Sequence, residues 1–103
     1  MTNWDRDPWV IHKYRLPFKS EMVDRVEVPV RRGRLLHLAV QHGEIHLWAA
    51  VDPAGSEVPT EFRLVGTGGT VGVDWHHLGS VLDGDYVWHI FSESNRLRRT
   101  HDA

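Results

Sequence analysis

Residues 34–52, RLLHLAVQHGEIHLWAAVD, constrain the fold more than any other part of this chain, because two apolar runs of strand length flank His42-Gly43. A two-residue loop makes this stretch a β-hairpin and pairs Gln41 with Glu44, Val40 with Ile45, Leu38 with Leu47 and Leu36 with Ala49. Every second pair is then wholly apolar, the pattern of a sheet with one face in a core. The intervening pairs, Ala39/His46, His37/Trp48 and Leu35/Ala50, form a mixed face. Gly43 supplies the positive φ of a tight hairpin turn, and His42 tolerates its own turn position less readily than Asn or Asp would.

The same two-residue period recurs along the chain. Residues 9–16 (WVIHKYRL) read as a strand with Val10, His12, Tyr14 and Leu16 on one face, stopped by Pro17. Residues 24–30 (DRVEVPV) turn Val26, Val28 and Val30 inward; Pro29 cannot donate to a ladder, so this strand lies at a sheet edge or ends there. After the turn cluster at 52–56, residues 60–65 (TEFRLV) form another strand. Residues 75–91 read as a second hairpin turning at Asp83-Gly84, with Val81 opposite Tyr86, Gly79 opposite Trp88 and His77 opposite Ile90. In that pairing the bare Gly79 leaves room for the indole of Trp88. No stretch sustains a helical period. The expected fold is all-β: a small antiparallel β-sandwich or barrel of about seven strands. Residues 1–8 read as a flexible lead-in, 9–91 as a single β domain and 92–103 as a polar C-terminal tail.

Composition narrows the function classes. A chain of 103 residues makes one domain with a modest core. Its net charge of −2 gives no reason to expect general nucleic-acid binding. There is no cysteine, hence no disulfide and no thiolate metal site. The start, MTNWDRDPW, lacks the basic and apolar regions of a secretory signal, and no run is long enough to span a membrane, so the expected location is the cytoplasm of the cell that makes it.

Motifs for chemistry are sparse. The chain holds eight histidines: His37 and His46 share the mixed face of the first hairpin, and His76, His77 and His89 cluster in the second. They supply pairs, but no His-Glu-x-x-His and no carboxylate fixed beside a pair, so neither a metal nor a cofactor is expected. No serine lies in a nucleophile elbow, and Asp83 and Asp85 read as turn chemistry, so no catalytic residue is assigned. Residues 66–72 (GTGGTVG) resemble a phosphate loop only superficially, since no helix follows. Even so, Gly68 and Gly69 can bring bare backbone N–H groups close to a ligand. Arg31-Arg32-Gly33-Arg34 is a basic turn. Trp48, flanked by His37 and His46, makes the non-core face of the first hairpin either an aromatic binding surface or the packing face of a second sheet.

Lys13-Tyr14-Arg15-Leu16, the Gly33…Leu36-His37…Val40-Gln41-x-Gly43 run, Leu47-Trp48-Ala49-x-Val51-Asp52-Pro53, Val65-Gly66-Thr67-Gly68 and Tyr86-Val87-Trp88-His89-Ile90-Phe91 occur in that order. Together they resemble a family of small uncharacterised proteins of actinobacterial phages and prophages. The resemblance implies a phage accessory or structural role and carries over no catalytic residue.

Three readings follow, the first of them the expectation and the other two its alternatives. The first is a non-enzymatic binding protein, in monomeric or homo-oligomeric form. It holds a nucleotide-like ligand such as a host immune signal through Arg34, His37, His46, Trp48, Gly68 and Gly69. The second is a protein-interaction or minor virion component that meets its partner through the same surface. The third is a metal-dependent hydrolase built on the histidines.

Overall fold

The computed structural model describes residues 8–18 and 24–99. Eight strands follow one another: β1 (Val10–Leu16), β2 (Arg25–Val30), β3 (Gly33–Gln41), β4 (Glu44–Val51), β5 (Val58–Gly66), β6 (His76–Asp83), β7 (Tyr86–Ser92) and β8 (Leu97–Arg99). They form two four-stranded sheets, ordered β1-β4-β3-β8 and β2-β5-β7-β6. The described residues include no helix, and so none long and apolar enough to cross a membrane. The expected all-β fold, a sandwich or barrel of about seven strands, is thus observed as a two-sheet sandwich with eight strands among the described residues.

The two-residue period decides what lies between the sheets. Leu16, Leu35, Ile45, Leu47, Ala49, Val51 and Leu97 of the first sheet meet Val30, Phe62, Leu78, Val81 and Ile90 of the second in one apolar cluster. Burying each large member stabilises the fold by about 1.5–3 kcal/mol. As its proline predicted, β2 is an edge strand; Pro29 lies directly opposite Pro59, at a position where neither backbone nitrogen is needed for the ladder.

The first hairpin keeps its expected register from Gln41/Glu44 to His37/Trp48, and both turn residues take positive φ, His42 at 53° and Gly43 at 75°. Beyond His37 the register shifts. Leu36 bulges out and is 44% exposed, so Leu35, not Leu36, faces Ala49 and enters the core. The bulge also brings Gly33 opposite Val51, where a Cβ would collide with the carbonyl oxygen of Ala50.

The second hairpin corrects the sequence reading by one residue. Its closing pair is Asp83/Tyr86 and its loop is Gly84-Asp85, with Gly84 at φ 60° in the first loop position. Val81 then faces Trp88, and Gly79 faces Ile90 rather than Trp88. A second bulge, at Leu78, turns that leucine into the core. Gly79 is bare because Leu38 of the opposite sheet presses on it; an added Cβ would lie 2.8 Å from Leu38 Cδ1. The neighbour that makes room for the Trp88 indole is Gly66, whose Cβ would lie 3.2 Å from the ring.

The stretch expected to be a polar tail contributes both the end of β7 and a strand of its own. β8 runs parallel to β3, pairing Gly33 with Leu97, Arg34 with Arg98 and Leu35 with Arg99, and it seals the core with Leu97, which is 2% exposed.

Candidate functional site

The outer face of the β1-β4-β3-β8 sheet is built in cross-strand rows. One row runs Ile11, Ala50, Arg34, Arg98; the next is Lys13, Trp48, His37; the third is Arg15, His46, Ala39; Glu44 and Gln41 close the end. The alternation that buries Leu47, Ala49 and Val51 turns Trp48 and Ala50 outward, so the hairpin pattern itself creates this surface.

Trp48 is the hub of the face. Its ring lies 5.5 Å from that of His37 and 6.2 Å from that of His46. Lys13 Nζ stands 5.5 Å from its centroid, within cation–π range, and also donates to Gln41 Oε1. Since Lys13 is on β1 and Gln41 on β3, that bond crosses β4 and roofs His46, which is only 8% exposed although it points outward. His46 Nδ1 lies 3.1 Å from the carbonyl oxygen of Glu44. A carbonyl can only accept, so Nδ1 carries the proton and Nε2 is the acceptor of the neutral ring. The face is therefore pre-ordered. Its aromatic centre is held on both sides by imidazoles and half-covered by an ammonium.

The charges on this face are one-sided. Among the described strand residues it presents Lys13, Arg15, Arg34 and Arg98 against a single carboxylate, Glu44, which Arg15 engages at 3.3 Å. Ile11, at 64% exposure, and Leu36 add apolar surface at its margin.

Four of the six residues expected to bind a ligand, Arg34, His37, His46 and Trp48, thus share one surface. Gly68 and Gly69 do not join them. They lie in the β5–β6 connection, where Gly69 donates to the Gly66 carbonyl at 2.9 Å and lies against Val65 of the second sheet. Two clefts at the end of the sandwich border Trp88, of about 120 Å³ beside Phe18 and Val40 and about 230 Å³ beside Arg63 and Gly69. Trp48 lines neither of these two clefts.

The second sheet has its own histidine cluster on its outer face. His77 lies 5.1 Å from Phe91 and 6.3 Å from His89, ring to ring. His89 is clamped between two hydroxyls, with Ser80 Oγ 2.8 Å from Nδ1 and Thr67 Oγ1 3.2 Å from Nε2. The sequence held no signal for this chain of hydrogen bonds, because Ser80 meets His89 only in the shifted register. No group of three or more metal-ligating side chains gathers among the described residues.

Fold and surface together define a small two-sheet β-sandwich with a tryptophan–histidine platform on one outer face. The chain belongs to the family described as a domain of unknown function, DUF7352, whose model matches residues 9–100. No curated protein and no solved structure matches it.

Proposed function

We propose that the chain is a non-enzymatic binding protein of the phage accessory type whose platform takes a nucleotide-like ligand. The observation that carries this reading is Trp48 itself, an outward tryptophan flanked by His37 and His46 on a sheet face with four cations and one carboxylate. A base stacks on the indole, and Arg34 and Lys13 meet the phosphate. Displacing Lys13 from the ring exposes the indole face, and its ammonium remains beside the ligand. Holding a nucleotide signal of the host away from its receptor would be one use of such a surface in the cytoplasm. The phage resemblance supplies that context.

A panel of nucleotides tested by thermal shift and calorimetry checks the reading. A nucleotide should raise the melting temperature, and Trp48→Ala or Arg34→Ala should remove the shift while the apo protein stays folded. No shift across the panel would sink the proposal. Exposed Ile11 and Leu36 beside Trp48 favour a second reading, a protein partner or a second copy on the same face. Sedimentation with and without candidate partners, together with indifference to every nucleotide, would favour it.

A further inference from the structure

Two arginine clusters far apart in sequence, Arg31-Arg32-Gly33-Arg34 and Arg96-Leu97-Arg98-Arg99, hold six of the ten arginines of the chain. The parallel pairing of β3 with β8 lays them side by side, with Gly33 N–H donating to the Arg96 carbonyl at 2.9 Å and Arg34 in register with Arg98. Each cluster divides its work. Arg31 bonds the Gly55 carbonyl at 3.0 Å and Glu57 at 3.2 Å, while Arg96 bonds the carbonyls of Val30 and Ser56 at 3.3 and 2.9 Å, so both fasten the strands. Arg32, Arg34 and Arg98 are exposed, and Arg34 and Arg98 lie one row from Trp48 on the same face.

We infer that this edge is a phosphate track and that the ligand of the platform is a single-stranded nucleic acid rather than a free nucleotide; the inference rests on the platform reading above. Lys13, Arg34 and Arg98 stand on three different strands, a spread that suits a chain of phosphates running across the face better than a single one. Cations following a backbone beside an aromatic ring that stacks a base are the components of single-strand binding. The net charge of −2 is a sum over the whole chain and does not describe this face, whose described strand residues carry Lys13, Arg15, Arg34 and Arg98 against Glu44.

The test is fluorescence anisotropy with a labelled oligodeoxythymidine of about 15 nucleotides, its duplex with oligodeoxyadenosine, and thymidine monophosphate as competitor, over a range of salt. The single strand should bind more tightly than the duplex or the monophosphate, and its affinity should fall with salt. In the Arg34→Ala, Arg98→Ala double variant the log–log salt slope should shrink by roughly 1.4, about 0.7 per lost phosphate contact. Trp48→Ala should weaken binding at least tenfold and leave the slope unchanged. Arg25→Ala, on the opposite sheet, should change neither. If a mononucleotide binds in a Trp48-dependent way and the oligonucleotide binds no tighter, the inference is overturned while the platform reading survives. If neither binds, both fall. A slope unaltered in the double variant also overturns the inference.

Discussion

The outer faces of the two sheets use the same residue types to opposite ends. Each carries histidines around an aromatic ring: His37 and His46 at Trp48 on one, His77 and His89 near Phe91 on the other. On the second sheet these groups satisfy one another. His89 is bonded at both nitrogens, Arg25 is paired with Glu61 at 3.3 Å and Arg63 with Asp24 at 3.5 Å. On the first sheet cations outnumber carboxylates, and Trp48 turns outward between two imidazoles. Composition therefore does not decide the role of a surface; on the proposed reading the first face is the receptive one and the second is closed.

Both faces rest on the same core, and the largest expected effects come from there. Leu47 and Ile90, one from each sheet and both fully buried, should each cost about 2–5 kcal/mol when changed to alanine. Urea unfolding followed by tryptophan fluorescence and circular dichroism should give one coincident transition for each variant. Separate transitions would mean that the sheets do not share a core, and the comparison would break. The next effect separates the faces. His89→Ala removes two hydrogen bonds and should lower stability by about 1 kcal/mol. His37→Ala, which removes only a ring contact beside Trp48, should stay within about 0.5 kcal/mol and act instead on ligand affinity. The opposite order would show that the first face, too, is primarily structural. Smallest of all is Arg25→Ala, which breaks an exposed ion pair and should cost at most about 0.5 kcal/mol, falling further in high salt.

Much of the fold was legible because its core follows a strict two-residue period. The His42-Gly43 turn, the register as far as His37/Trp48 and the edge position of β2 all follow from local chemistry. What escaped was decided by contacts between residues far apart in sequence. Leu35 and Leu36 are equally apolar, and the bulge selects Leu35 because Gly33 must lie against β4. The second hairpin slides because Gly79 is needed beneath Leu38, a residue of the other sheet. β8 has one buried apolar side chain in three residues, too little for any periodicity to show, and its place depends on pairing with a strand 60 residues earlier. The same reason hid Arg98 and separated Gly68 and Gly69 from the surface they were expected to serve. Strand alternation does determine which residues share a face of one hairpin, so His37, His46 and Trp48 could be grouped from the sequence; Arg34 joins their face only through the bulge, which alternation does not foresee.

The most direct test of the central claim is a titration followed by the indole N–H, imidazole and backbone amide resonances of the folded protein, with a short oligodeoxythymidine added stepwise. The account predicts a progressive shift of the Trp48 indole signal, with His37 following and the resonances of His89 and Phe91 unmoved. Shifts centred on His89 and Phe91, or an unchanged Trp48 at saturating oligonucleotide, would contradict it.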